Sequence, residues 1–233
     1  MITRYRVFTH LARAAGCCRM ATTVLTLATL GACSVLSPTT TPHPVFYSLD
    51  ANLPTTMPPP ASPASPASAP SLASPASPAT GLTLIINPPH AAAGFDSPRI
   101  MYLREPYKLA YFAQSEWVDP PARMLGPLLV NTIADTGTFR AVALTTAAAT
   151  GDVRLDTEII RLQHEFTTQP SQVRFTLRAY LIDEKTRRVL AWREFDARTS
   201  SKSEDAYGGV VAANLSVQAV LKDLSQFLTE RTK

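Results

Sequence analysis

The chain has 233 residues, with 22 Lys or Arg against 18 Asp or Glu, so its formal net charge is +4. The first 32 residues hold four of the basic residues and no acidic one, which leaves 18 charges of each sign in the rest of the chain. A charge-balanced body gives no reason to expect nucleic-acid binding or electrostatic attachment to a membrane.

The first 32 residues have the three parts of a secretory signal. Four arginines precede an uncharged, apolar run over residues 20–30, which is shorter than the roughly 20 apolar residues that span a bilayer. The run ends in the tetrad Leu30-Gly31-Ala32-Cys33, which resembles the bacterial lipobox. The other interpretation is an ordinary secretory signal with an incidental cysteine. Translation from Met20 would discard all four arginines, so Met1 is the preferred start.

The lipobox resemblance implies that Cys33 is alkylated with diacylglycerol and becomes the mature amino terminus. Three acyl chains anchor such a protein stably, because each buried methylene contributes about 0.8 kcal/mol and one chain alone is marginal. Ser34 follows, and the sorting rule that accompanies the lipobox takes Ser here as permitting transfer to the outer membrane. Cys17 and Cys18 lie in the signal, so the predicted mature chain has no cysteine to spare for a disulfide.

A short β-type run, Val45-Phe46-Tyr47-Ser48-Leu49, lies between two polar stretches. Residues 33–44 are the predicted lipidated tether. Residues 50–80 are dominated by Ala-Ser-Pro, with too few large apolar residues to offset the entropy of ordering, which predicts a disordered linker. If the run pairs with the body, the reach from the lipid is roughly 35 Å at about 3.1 Å per residue; if it does not, the linker adds roughly 90 Å. Pairing is favoured, because three large residues in a row are costly to leave in water.

Residues 81–233 are the predicted folded domain, of a normal single-domain size. Its first half has short apolar runs separated by Pro-rich turns, which are typical of strands. The predicted strands are residues 82–86, 99–103, 108–113 and 139–144, and the second and third form a hairpin around Glu105-Pro106.

A helix is predicted to begin at Asp119-Pro120-Pro121, because Asp can cap and Pro is tolerated in the first turn. Gly126-Pro127 conflicts with this helix and predicts a kink or a late start, because Pro127 removes an internal hydrogen bond. Gly137 is a natural left-handed terminator. One apolar stripe is made by Met124, Leu125, Leu128, Leu129 and Ile133.

Three long strands are predicted next. In residues 152–166 the apolar positions change from odd to even near Ile159, which indicates a bulge. In residues 172–183 the apolar Val173, Phe175, Leu177, Ala179 and Leu181 alternate with Arg174, Thr176 and Arg178 on the opposite face, and residues 188–197 return after a turn at 183–186.

The chain closes with a long predicted helix that Ser203 or Asp205 can cap. Its apolar stripe has one polar interruption at Asn214, and packing on the sheet is favoured over a subunit seam. The element order predicts an α/β (α+β) two-layer sandwich, with a mostly antiparallel mixed sheet and both main helices on one face. The apolar stripe is Val210, Val217, Leu221, Leu224 and Leu228.

A catalytic or metal site is hard to assemble from the sequence. His43 and His90 fall in predicted loops and His164 in a strand, without metal-ligand spacing, and no nucleophile motif or phosphate-binding glycine loop is present. Asp156 and Glu158 form a carboxylate pair on one strand face, which is more typical of a solvated strand than of a glycosidase. No catalytic residue, metal or cofactor is predicted.

Four aromatic residues crowd the segment 107–117. Their density favours core packing under the first helix, and the functional alternative is an apolar surface for a partner or a lipid tail. The candidate residues for that surface are Tyr107, Tyr111, Phe112 and Trp117.

Several motifs together resemble those of the ABC-type transport auxiliary lipoprotein family. The similarity covers most of residues 45–233, while the Ala-Ser-Pro insertion and Gly126-Pro127 depart from the family pattern. The motifs are Cys33 with its Pro/Ser tether, Phe46-Tyr47-Ser48-Leu49, Pro98-Arg99-Ile100-Met101-Tyr102, the segment 110–121 (AYFAQSEWVDPP), Leu128-Leu129 and Thr138-Phe139-Arg140.

This resemblance implies a component of the Gram-negative envelope, and the lipobox with Ser34 implies a lipid anchor at the periplasmic face of the outer membrane. The family resemblance implies a permease, an ATPase and a mammalian-cell-entry-domain substrate-binding protein as partners in moving phospholipid or other hydrophobic molecules. A ring with copies of the chain itself is a further hypothesis. The resemblance implies no catalytic residue. A structural lipoprotein of another envelope assembly, for lipopolysaccharide or secretion, is the alternative, and an envelope hydrolase is a third hypothesis without a nucleophile–base pair to support it.

Overall fold

The computed structural model describes residues 43–50, 81–145 and 150–232. The signal, Cys33, most of the tether and the Ala-Ser-Pro linker lie outside these residues. The described residues form a nine-stranded mixed sheet and two helices. The strands are β1 Val45–Tyr47, β2 Thr83–Ile86, β3 His90–Ala91, β4 Arg99–Glu105, β5 Lys108–Trp117, β6 Ala141–Leu144, β7 Val153–Glu165, β8 Gln172–Asp183 and β9 Val189–Ser200, and the helices are α1 Pro121–Ala134 and α2 Ala206–Arg231.

The long strand β7 joins all parts of the sheet. One edge of β7 pairs along its whole length with antiparallel β8, which in turn pairs with β9. The other edge is shared by β2, β3 and β4, which lie end to end and run parallel to β7. Beyond them, β6 pairs with β2, β5 with β4, and β1 with β5. The antiparallel ladders are the long ones, which confirms the predicted sandwich with a mostly antiparallel mixed sheet.

A bulge interrupts β7 where the sequence predicts one. The register to β8 shifts between Ile159 and Arg161. Before the bulge the buried residues are odd-numbered, as in Ile159. After it residues 162–165 are all buried, and those on the side that the helices cover are the even-numbered Leu162 and His164. Because successive strand residues point to opposite faces, the extra residue keeps one face of β7 apolar along its length.

The two faces of the sheet differ in what covers them. In β8, the odd-numbered apolar residues from Val173 to Leu181 are buried under the helices, which confirms the predicted alternation. The opposite side, called the open face here, is covered by no helix of the described chain. It carries ion pairs between neighbouring strands, such as Arg174–Asp196 at 2.8 Å and Arg178–Glu194 at 3.0 Å.

Helix α1 begins before Gly126-Pro127, where the sequence predicts a kink or a late start. It is helical from Pro121, so a start after Pro127 is wrong. The prediction that Asp119 caps the helix is also wrong: Pro120 is the N-cap residue, and Asp119 lies one residue too early and pairs with Arg123 at 3.3 Å. The ring of Pro127 lies on the exposed side, where water can satisfy the carbonyl that loses its partner.

Helix α2 is the main cover of the sheet. Asp205 caps it, accepting a hydrogen bond from the Gly208 amide at 2.7 Å, as predicted. The whole apolar stripe of α2, together with Asn214, is buried against β7, β8 and β9. The core interpretation of the stripe is therefore confirmed.

Candidate functional site

The segment that follows the predicted tether forms an edge of the sheet. β1 runs parallel to β5, with Val45 beside Ser115 and Tyr47 beside Trp117. The Val118 amide donates to the Tyr47 carbonyl at 2.8 Å. Residues 45–50, called the arm here, are therefore attached to the folded domain by backbone hydrogen bonds.

Asn214 holds the end of the arm. Its side-chain oxygen accepts a hydrogen bond from the Asp50 amide at 2.6 Å, and its side-chain nitrogen donates to the carbonyls of Ser48 at 3.3 Å and Val210 at 3.0 Å. Between these contacts Leu49 is 6% exposed and belongs to the core. The polar interruption in the stripe of α2 thus satisfies backbone groups where the arm leaves the sheet.

The four candidate aromatic residues do not form one surface. Tyr107 is fully exposed at the tip of the β4–β5 hairpin, with φ of 67°, and Tyr111 is half-exposed on the open face with the Arg99 guanidinium 4.2 Å from its ring centre. Phe112 is half-buried on the side of the sheet that the helices cover. Trp117 is 3% exposed and lies in the core, which removes it from any exposed surface.

Phe112 belongs to an aromatic cluster around a buried histidine. The ring centre of Phe166 lies 4.1 Å from that of His164, and Phe112 lies 4.8 Å from Tyr102. The His164 side chain is 2% exposed and contacts Ser171 Oγ through Nε2 at 2.8 Å, while its buried Nδ1 has no hydrogen-bond partner among the described residues. This nitrogen faces Gly209, where any Cβ would overlap the imidazole ring.

Three titratable residues with shifted pKa values lie around the start of α2: His164, Glu204 and Asp205. Burial lowers the pKa of His164, although Glu204 and Asp205 oppose the shift and Arg104 adds to it. The pKa of Glu204 is lowered chiefly by the Ser171 amide at 2.9 Å, and that of Asp205 chiefly by the Gly208 amide. The acids therefore stay ionised, while the imidazole stays neutral.

The other polar groups singled out in the sequence lie in ordinary surroundings. Asp156 accepts from the side chains of Asn87 at 2.7 Å and Arg154 at 3.2 Å, and Glu158 lies 3.5 Å from Arg178, so both belong to the ion-paired open face. His90 is exposed in the short strand β3 and not in a loop. Residues 43–50, 81–145 and 150–232 contain no cluster of three metal-ligating side chains and no helix long and apolar enough to cross a bilayer.

Comparison with known proteins identifies the family. The family model described as the ABC-type transport auxiliary lipoprotein component matches residues 47–225, which begin within the arm and end within α2. The chain belongs to this family. The recognition made from the sequence motifs is therefore confirmed.

Solved structures share the fold of this auxiliary lipoprotein. Protein XCC0632 from Xanthomonas campestris is 26% identical, with a TM-score of 0.60 over 68% of this chain and 90% of that chain. The crystal structure of an uncharacterized protein is 10% identical, with a TM-score of 0.54 over 63% of this chain and 91% of that chain. No curated protein matches the chain.

Two contacts of this auxiliary lipoprotein were not predicted from its sequence: that of Asn214 with the arm and that of His164 with Gly209. The signal for the Asn214 contact was present, since an amide in a buried apolar stripe needs hydrogen-bond partners. The signal for the His164 contact was weaker: Gly208-Gly209 in the first turn of a helix is costly unless something packs closely there. Neither pattern names its partner, because the partners lie far away in sequence.

The Asn214→Ala variant should release the arm. Loss of its hydrogen bonds and exposure of Leu49 should lower the free energy of unfolding by about 1–3 kcal/mol. Hydrogen exchange should accelerate at the amides of Asp50 and Val118. Asn131→Ala, on the exposed side of α1, is the matched control, and unchanged exchange at Asp50 in Asn214→Ala would show that Asn214 does not hold the arm.

The stability of the domain should depend on pH through His164. Since its pKa is lowered in the folded state, the unfolded state binds the proton more tightly, and the free energy of unfolding should fall as pH drops below about 6.5. Urea unfolding between pH 7.5 and 5.5 measures this slope. His164→Gln should flatten it; identical slopes for wild type and His164→Gln would contradict the assignment.

Proposed function

We propose that this protein is a lipoprotein anchored through Cys33 to the periplasmic face of the outer membrane, where it docks an ABC-type envelope transport system. The proposed partners are a permease, an ATPase and a mammalian-cell-entry-domain substrate-binding protein, and copies of the chain itself. The cargo is phospholipid or another hydrophobic molecule, which needs a continuous apolar path across water. The proposed role is binding, not catalysis.

The attachment of the arm to the domain carries this proposal. With β1 paired to β5 and the Asp50 amide bonded to Asn214, the domain begins at residue 45. Only residues 34–44 then separate Cys33 from it, a reach of roughly 35 Å at about 3.1 Å per residue. The linker 51–80 leaves the domain at Asp50 and returns at Gly81, so its length does not extend the tether. A short tether favours a docking role close to the membrane.

The hairpin tip is the proposed contact with the substrate-binding protein. Tyr107 is fully exposed with a positive φ, which is an uncommon and costly backbone conformation for a residue with a side chain. Exposed tyrosines are frequent in binding surfaces, because the ring contributes apolar area and the hydroxyl group a hydrogen bond.

Lipid attachment predicts the behaviour of a cysteine variant. Cys33→Ala should give a folded protein that leaves the outer-membrane fraction and is recovered in the periplasm, because the acyl chains are its only proposed anchor. Cell fractionation with immunodetection measures this. Cys17→Ala, in the segment that is removed, is the control and should fractionate as wild type; retention of Cys33→Ala in the outer membrane would refute the anchor.

Affinity capture tests the docking role. The full chain, captured from solubilised membranes, should bring with it the mammalian-cell-entry-domain protein, identified by mass spectrometry. Tyr107→Gly removes the ring and suits the positive φ, so it should reduce capture several-fold without loss of stability. Tyr207→Ala, an exposed tyrosine outside the hairpin, should not. Absence of the substrate-binding protein from the wild-type capture would sink the proposed function.

A further inference from the structure

The open face carries a cavity of about 490 Å³ beside the hairpin, which shares Tyr107 with the proposed docking contact. It lies between Phe95 in the loop after β3, the hairpin tip with Tyr107, and the part of β7 that follows the bulge. Apolar side chains, including Leu103 and Leu109, form its walls. Its polar lining comes from one side of β7, with Arg161, Gln163 and Glu165, and from Arg174 on β8.

Glu165 is a buried acid without a cation. Its side chain is 8% exposed and accepts hydrogen bonds from the side-chain amides of Gln163 at 2.7 Å and Gln172 at 3.3 Å. Both donors are neutral, and no Lys, Arg or His of the described chain lies within ion-pair distance. A carboxylate has about four acceptor positions, so each oxygen keeps room for another donor. A buried, uncompensated carboxylate is costly, which favours a cationic ligand.

Arg161, which lines the same cavity as Glu165, is a cation that pairs with no acid of the described chain. Within residues 43–50, 81–145 and 150–232 it makes no hydrogen bond or ion pair, unlike its neighbour Arg174, which is bonded to Asp196. Arg161 and Glu165 lie on one side of β7, about 13 Å apart between Cα atoms at about 3.3 Å per residue. Two long side chains can approach a small ligand from these positions. The cavity therefore offers one uncompensated charge of each sign.

A ligand that complements this lining has a positive and a negative end and an apolar continuation. The apolar part of the ligand can pack on the rim of the cavity, where Leu109 and Tyr111 are both close to half exposed along β5. The Tyr107 ring at the rim adds a face that attracts cations. A primary ammonium fits the carboxylate better than a quaternary one, because only the primary group donates N–H hydrogen bonds. A phosphate fits the guanidinium, which binds it through two parallel hydrogen bonds.

We propose that this cavity binds the headgroup of an ethanolamine phospholipid, with the ammonium at Glu165, the phosphate at Arg161 and the glycerol end along Leu103 and Leu109. The inference rests on the proposed function in taking phospholipid as the cargo. It adds the headgroup class and the two residues that select it.

Native mass spectrometry of the full chain tests this site. The protein is released from mixed micelles that contain equal amounts of phosphatidylethanolamine, phosphatidylcholine and phosphatidylglycerol. Wild type should retain phosphatidylethanolamine over the other two by roughly tenfold, the effect of one charge-assisted hydrogen-bonded contact. Glu165→Gln should remove this selectivity, and Arg161→Gln should lower retention of all three lipids by a similar factor.

Matched controls lie on the same face outside the cavity. Glu194→Gln and Arg198→Gln change the same charges on β9 and should behave as wild type. Thermal unfolding of each variant checks the fold, and Arg161→Gln, which breaks no described contact, keeps the test independent of any misfolding of Glu165→Gln. Equal retention of the three lipids by wild type, or unchanged selectivity in Glu165→Gln, would overturn the proposal.

The same preparations separate this proposal from the docking role. If the wild-type chain captures the substrate-binding protein but retains the three lipids equally, the headgroup site is refuted and the docking role is supported. If capture fails while ethanolamine selectivity and its loss in Glu165→Gln are observed, the site stands and the docking role falls.

Discussion

The bulge in β7 decides what each face of the domain can do. Strand residues alternate between faces, so one extra residue between Ile159 and Arg161 exchanges the faces of every residue that follows. Without it, Leu162 and His164 would point to the open face, while Gln163 and Glu165 would enter the apolar core. With it, the histidine packs under α2, and the charged residues line the cavity. A single backbone irregularity therefore preserves the core and creates a polar site on its other side.

A similar irregularity divides the aromatic residues of the hairpin. The β4–β5 register changes by three residues between the pair Met101–Tyr111 and the pair Arg99–Glu116, and an odd shift reverses the face of the residues that follow in β5. Tyr111 consequently stays on the open face while Trp117 enters the core. Density of aromatic residues along a sequence does not indicate a common surface when a bulge lies between them.

Sequence reasoning succeeded where the pattern is local. The alternation of β8, the change of face near Ile159 and the stripe of α2 are each visible within a few residues, and the structure confirms all three. The parallel ladders of β7 with β2, β3 and β4 could not be read in this way, because which strand pairs with which depends on closing loops between distant segments. The cap of α1 failed for a smaller reason, since the sequence does not tell which residue of Asp119-Pro120-Pro121 occupies the N-cap position.

Asn214 and Glu165 illustrate how a buried polar group can be interpreted. Asn214 has partners for both its oxygen and its nitrogen in the described chain, so its cost of burial is met by the arm, and its role is structural. Glu165 is as well buried but has only neutral donors, so its charge remains uncompensated. A satisfied amide needs no further partner, whereas the uncompensated charge of Glu165 is the basis of the ligand proposed above. The same distinction applies to the two arginines of the cavity. Arg174 is already bonded to Asp196 of the sheet, whereas Arg161 has no acidic partner among the described residues.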